Sequence, residues 1–306
     1  MQKKILIAVI VLSFVASYAG KAFLNRETDA ARDTTRATPY ARIISMAPST
    51  TETLYALGLG DRVVGVTRYC TYPPETADVT KVGGFLDPNF EAIVALRPDL
   101  VIVLPVHGDT RGRLRELGIE TLEVDHRTLD GILDSLNIIG NASDATPKAN
   151  AILADIHARV DRVRAATAGL PKPRVLISAG RNAGAGELQE VYVAGKGQWY
   201  DDVIEMAGGV NAFENEAIQF PSLTGEGLLR LDPDVVVELI RNLDSMDFTE
   251  ANVVREWGTL PDMQAVQTGR VHVLGQDYVT IPGPRFINTV EDLARLLHPG
   301  ADWSAQ

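Results

Sequence analysis

The chain has 306 residues, 45% of them hydrophobic and 23% charged, with a formal net charge of −11. That length suits one large domain or two ordinary ones, and the balance is that of a globular protein. The acidic surplus argues against a surface that wraps nucleic acid, and no interior apolar run reaches the ~18 residues of a membrane helix.

At the start of the chain, Lys3 and Lys4 precede an apolar run from Ile5 to Ala16, and Ser17 and Ala19 stand ahead of Gly20 at cleavage-site spacing. This is the pattern of a secretory leader over residues 1–19, with an uncleaved anchor as the alternative. No cysteine follows the run, so the usual lipoprotein attachment is missing. Residues 20–40 are polar and read as a flexible lead-in.

From Ile43 the pattern becomes α/β. A strand at Ile43–Met46, a turn and N-cap at Pro48-Ser49, a helix from Thr51 to Leu57 and a strand at Val63–Val66 follow one another with short links. That order predicts parallel pairing. Helices are expected over 89–96, 109–117 and 129–139, with strands over 100–104 and 120–124 between them. Residues 41–146 therefore form an N-terminal α/β lobe. Ile152, Ile156, Val160 and Val163 recur at helical spacing in a stretch with no strand signal, which predicts one long bridging helix over residues 147–170. A second α/β pattern then occupies residues 171–298: strands over 175–178, 235–239 and 271–274, and helices over 198–206, 227–231, 252–257 and 286–297. Residues 299–306 are a tail. The expected fold is two similar α/β lobes with parallel-rich sheets, joined by one long rigid helix, with a ligand cleft between them. Such lobes can rock but not hinge widely.

The two lobes share a phrase. "FEAIVALRPDLVIV" at residues 90–103 and "GEGLLRLDPDVVVE" at residues 225–238 align at an offset of 135. The alignment pairs Glu91 with Glu226, Pro98-Asp99 with Pro233-Asp234, Phe85 with Phe220 and the N-cap candidates Asn89 and Thr224.

Catalytic and metal chemistry find little support. Cys70 is the only cysteine, so no internal disulfide or cysteine metal cluster forms, and beside Tyr69 it reads as a packed side chain. The five histidines (His107, His126, His157, His272 and His298) lack ligand spacing. Asp125-His126 is the one adjacent His–Asp pair. "GRNAGAGE" at residues 180–187 lacks the Gly-Lys-Ser/Thr ending of a phosphate loop and reads as a flexible loop.

The aromatics are more informative. Tyr69, Tyr72, Phe85, Phe220 and Tyr278 stand in loops at strand ends, where ligands bind in folds of this kind. Facing aromatics suit a large flat ligand, whereas the bland alternative has each Phe plugging its own lobe. Glu91 and Glu226 either compensate helix dipoles or form one acidic knob per lobe for a basic partner.

"RIISMAPSTTETLYALGLGDRVVGVTRYCTYPPE", "VGGFLDPNFEAIVALRPDLVIV" and "RVHVLGQDYVTIPGPR" resemble the periplasmic solute-binding proteins of ABC importers for cobalamin and iron–siderophore complexes. The resemblance spans residues 42–297 and implies an exported, monomeric, non-catalytic receptor. Such a receptor holds no cofactor of its own and delivers a corrinoid or ferric siderophore to a membrane permease and its ATPase. It would touch a membrane only through that docking or an uncleaved leader. The family's aromatic cleft residues fall on Tyr69, Phe85 and Phe220, and its permease-docking glutamates fall on Glu91 and Glu226. Trp199 and Tyr278 join the ligand-contacting set. Arg68, Arg181 and Arg285 are the candidates to hold ligand carboxylates or catecholates. This chain has Phe85 and Phe220 where the cobalamin binder has Trp, which leaves the ligand open. A haem-binding member of the family is one alternative. Another is a surface enzyme or chaperone acting on a metal cofactor, which would have to work with Cys70, Asp277 and tyrosines.

Overall fold

The computed structural model describes residues 40–215 and 218–303, so the expected leader and nearly all of the lead-in lie outside the described residues. The first strand, β1 (Ile43–Ser45), is buried along its length. It leads into α1 (Pro48–Ala56), whose opening Pro supplies a φ already suited to a first helical turn. β2 (Val63–Val66), α2 (Phe90–Ala95), β3 (Leu100–Val103), α3 (Gly108–Glu116) and β4 (Thr121–Glu123) follow. The four strands form one sheet in the order β2-β1-β3-β4, all parallel, as the short strand–helix–strand links predict. Ile44, Met46, Val82, Ile93, Val101 and Leu114 fill its core. α4 (Leu129–Ala142) covers the lobe and begins at Thr128, whose hydroxyl accepts from the Gly131 N–H.

The bridging helix α5 (Thr146–Thr167) has 22 residues, or ~33 Å at the standard rise. Ile156, Val160 and Val163 are buried on it. The second lobe then runs β5 (Arg174–Gly180), β6 (Val191–Val193), α6 (Trp199–Met206), β7 (Val210–Asn211), β8 (Ser222–Leu223), α7 (Gly225–Leu231) and β9 (Val235–Leu239). It closes with α8 (Glu250–Trp257), α9 (Gln264–Gln267), β10 (Val271–Leu274) and α10 (Phe286–Leu297). Its sheet has the order β10-β9-β5-β6-β8, with β7 pairing β5 at the start of that strand. β10, β9 and β5 are parallel, but β6 is antiparallel to both β5 and β8. The second sheet is therefore mixed through β6, and the short strands β6, β7 and β8 carry no periodicity of their own. Helix α5 packs against α4 of the first lobe and α10 of the second.

The repeated phrase has a structural reason. In each lobe the helix stops on a non-glycine residue with positive φ, Arg97 (46°) and its equivalent Asp232 (43°). Past that stop, the aspartate of each Pro-Asp caps the entry to a neighbouring strand. Asp99 accepts from the Ala41 and Arg42 N–H groups at 2.9 and 3.0 Å, and Asp234 from the Arg174 N–H at 2.7 Å. The arginine that opens the capped strand completes the exchange. Arg42 donates to the Leu96 and Arg97 carbonyls, and Arg174 to those of Leu231 and Asp232. The two N-caps differ. Asn89 Oδ1 accepts from the Ala92 N–H at 3.0 Å, while Thr224 holds the cap position without a side-chain bond.

Candidate ligand-binding site

In both sheets the loops at the carboxyl ends of the parallel strands supply the contacts between lobes. The loop after β4 meets the start of α6: Trp199 N–H donates to the Arg127 carbonyl at 3.2 Å, and Leu129 N–H to Asp202 Oδ2 at 3.3 Å. The loop after β10 meets α1, where Arg285 forks onto Glu52 at 2.7 and 2.8 Å and onto Asp277 at 2.9 Å. Arg241, just past β9, donates to Thr71 Oγ1 beyond β2 at 2.6 Å.

A cavity of 330 Å³ opens at the first of these meetings. His126 and Arg127 line it from the N-terminal lobe, and Gln198, Trp199, Tyr200 and Phe220 from the C-terminal lobe. Phe220 is 43% exposed, whereas Trp199 is only 5% exposed and stacks on Tyr200 at a centroid distance of 3.9 Å. Tyr200 meets Phe220 edge-on at 6.4 Å, so three aromatic rings share one wall. Burial pushes the Tyr200 hydroxyl well above the ordinary phenol range. The hydroxyl donates to the Val279 carbonyl at 3.0 Å, which fixes the ring.

The other expected residues fall into two further groups. Arg68 pairs with Asp87 at 3.0 Å and lies 5.9 Å from the Tyr69 ring centroid, with both side chains exposed. Phe85 stands on the adjoining loop, half-buried and edge-on to His107 at 4.8 Å. The Arg68 N–H donates to the Gly83 carbonyl, which ties these two loops together. Arg285 and Tyr278 form the other group. The guanidinium stacks 3.5 Å from the Tyr72 centroid and 5.5 Å from that of Tyr278, while Tyr278 Oη donates to Asp292 at 2.6 Å. With Glu52 and Asp277 both on it, Arg285 is occupied as an inter-lobe tie. Burial raises the Glu52 carboxyl above the usual carboxylate range, against the opposing pull of Arg285.

Arg181 is buried inside the C-terminal lobe and paired with carboxylates of the protein. Its side chain is 1% exposed and bonds to Glu238 at 2.9 Å and Glu256 at 2.5 Å inside the C-terminal lobe. The Gly-rich loop that follows is also fixed rather than free, because Gly184 and Gly186 donate their N–H groups to the Glu256 carboxylate. Both glycines have positive φ, and a Cβ on Gly184 would come within 2.5 Å of Phe248. The loop's amides thus hold an anion of the protein itself. Cys70 is buried, with the Thr51 and Thr67 hydroxyls each 3.1 Å from its sulfur. Among the described residues, no three His, Cys, Asp or Glu side chains are grouped to hold a metal.

Glu91 and Glu226 occupy the first turns of α2 and α7, both exposed. Glu226 makes a surface pair with Arg230 at 2.9 Å. Sequence reasoning missed His126, Gln198, Tyr200 and Arg241 as parts of the seam. Their one local signal is a position at or near a strand end.

Two α/β lobes on one long helix, with aromatic rings at a seam lined from both sides, define a two-lobed receptor for a small molecule. The chain belongs to the periplasmic binding protein family, whose model matches residues 43–278. It is similar to the vitamin B12-binding protein of Vibrio cholerae, at 29% identity over 85% of this chain and 90% of that protein. The crystal structure of the periplasmic vitamin B12-binding protein of Vibrio cholerae superposes with a TM-score of 0.71 at 28% identity, covering 85% and 97% of the two chains. An uncharacterized ABC transporter substrate-binding lipoprotein of Bacillus subtilis is 30% identical over 84% of this chain and 80% of its own. The crystal structure of a periplasmic heme-binding protein from Pseudomonas aeruginosa has a TM-score of 0.72 at 26% identity, covering 86% and 94%.

Proposed function

We propose that this chain is the extracytoplasmic receptor of an ABC importer for a metal-centred macrocycle, with cobalamin as its first ligand. The observation that carries this reading is the exposed face of Phe220 beside Trp199 and Tyr200, in a cavity that both lobes line. Phe85 and Tyr69, on the loops past β2, supply the opposing apolar surface in this reading, and Arg68 supplies a polar contact at its rim. Burying several hundred Å² of apolar ligand surface at ~25 cal/mol/Å² exceeds the cost of association by enough for sub-micromolar binding. Haem is the second reading. Phenylalanines in place of the cobalamin binder's tryptophans, together with the similarity to a heme-binding protein, favour it.

The receptor makes and breaks no covalent bond. Cys70 is enclosed by hydroxyls and Asp277 is tied to Arg285, so neither the thiol nor that carboxylate is placed as a nucleophile or proton carrier. The partner is a permease with its ATPase, met at the outer face of the cytoplasmic membrane or in the periplasm.

The test is a titration of the chain lacking residues 1–19 with cyanocobalamin, haemin and a ferric siderophore, read by tryptophan fluorescence. The expected result is saturable 1:1 binding, with a sub-micromolar Kd for cyanocobalamin or haemin and the ligand recovered unchanged. Failure of all three to saturate, or chemical turnover of any of them, would overturn the reading.

A further inference from the structure

The seam cavity contains a polar group that the aromatic reading leaves unused. His126 follows β4 and is 4% exposed. Its Nδ1 lies 2.8 Å from Ser49 Oγ on α1, while its Nε2 is buried and has no hydrogen-bond partner. A buried ring nitrogen left unpaired is costly, and an orphan on a residue that lines a cavity points to a partner that arrives with the ligand. Burial pushes the His126 pKa down to about 4, so the ring is neutral and carries one proton. Ser49 stands in the first turn of α1, where its own helix offers no carbonyl four residues earlier. Assigning that hydroxyl as the donor to Nδ1 places the ring proton on Nε2.

The cavity's size and charge narrow what the Nε2 proton meets. At 330 Å³ it lies at the small end of the ~300–1,000 Å³ typical of sites for drug-sized ligands, so it holds an arm of a macrocycle and not the whole ring. Arg127 on its wall is already matched by Asp125, with contacts at 2.5 and 2.9 Å. Gln198 donates to the Gly195 and Gln219 carbonyls. With a neutral imidazole and a compensated arginine, the cavity has no spare cation to offset a buried carboxylate, whereas an uncharged carbonyl needs only a donor.

We infer that this cavity is a subsite for a carboxamide-bearing arm of the ligand, which packs on Trp199 and Phe220 and accepts a hydrogen bond from His126 Nε2. The inference rests on the macrocycle reading above and favours a corrinoid, with its neutral amide arms, over haem, with its carboxylates.

The test compares wild type, His126→Ala and His126→Gln by titration with cyanocobalamin and haemin, alongside thermal unfolding midpoints. Losing one hydrogen bond of ~1–1.4 kcal/mol predicts about 5- to 10-fold weaker cyanocobalamin binding by His126→Ala. The amide of His126→Gln should restore most of that loss, and haemin affinity should change less than twofold. Equal cyanocobalamin binding by wild type and His126→Ala overturns the subsite but leaves the importer reading standing. An equal loss toward haemin, or no rescue by glutamine at an unchanged midpoint, marks a packing role and also overturns it. Wild type binding haemin but not cyanocobalamin does the same, and wild type binding neither brings down the importer reading with it. Should alanine prevent folding, the glutamine variant alone decides: affinity near wild type supports the bond and a loss above 5-fold refutes it.

Discussion

A single arginine shows how far residue identity can mislead about role. Arg181 follows β5 in a strand-end loop, the position expected of a ligand contact. Its guanidinium instead joins two buried carboxylates, Glu238 and Glu256. Ser178 and Trp257 donate to Glu238 as well, at 3.0 and 2.8 Å, so that carboxylate is satisfied from within the protein, while Arg181 Nη2 is buried without a partner. Removing the cation would leave both carboxylates buried without it, a change that costs ~3–5 kcal/mol when a buried ion pair loses one partner. Arg181→Met is therefore expected to lower the unfolding free energy by about that much in urea denaturation, with ligand affinity unchanged in the folded fraction. Weakened binding at unimpaired stability would return Arg181 to the ligand site.

Among the elements, the strongest regularity is the exchange of caps between α2 and β1 and between α7 and β5. Trading the aspartate for alanine there removes the acceptor of strand-entry N–H groups: two at Asp99 and one at Asp234. Asp99→Ala and Asp234→Ala should each cost ~1–3 kcal/mol of stability. Because the two sites lie in different sheets and share no partner, the double variant should show the sum to within ~0.5 kcal/mol. Chemical unfolding of the three variants checks this, and strong non-additivity would mean that the lobes do not carry independent copies of the device. The Pro-Asp repeat is thus explained by folding, while the glutamates that repeat with it have no equivalent structural duty. Among the described residues Glu91 makes no side-chain hydrogen bond or ion pair, and Glu226 pairs with Arg230 on the surface of its own helix.

For the whole molecule, those glutamates become a measure of how the lobes sit. Each is followed three residues on, one helical turn along the same face, by an exposed apolar side chain, Val94 at 46% and Leu229 at 36%. A carboxylate beside an apolar contact, once per lobe, suits a two-part basic partner. The Glu52–Arg285 and Arg241–Thr71 ties and the α5 bridge join the two lobes. Glu91→Arg and Glu226→Arg are expected to keep ligand Kd within about twofold and to abolish uptake by vesicles carrying the cognate permease, since reversing a rim charge acts on association with the partner. Full transport by the double reversal would remove these residues from docking.

Much of this protein could be read from its sequence because helices and strands write their periods locally. The spacing of Ile156, Val160 and Val163 announces α5, β-branched runs announce β3 and β9, and the 135-residue repeat announces two like lobes. The strands β6, β7 and β8, of three, two and two residues, left no such period, and their pairing, with β6 antiparallel to β5 and β8 and β7 parallel to β5, emerged only from the ladders they join. Of the residues singled out for the candidate site, Phe220 and Trp199 share a cavity, whereas Arg285 and Arg181 are bound by carboxylates. Glu52 and Arg285 are 233 positions apart, and His126 and Ser49 are 77 apart. Pattern along the chain fixes what each segment becomes, because backbone hydrogen bonding and burial of one face are settled within a few residues. Which charge meets which, and which nitrogen is left without a partner, depends on surfaces that come together only when both lobes have folded.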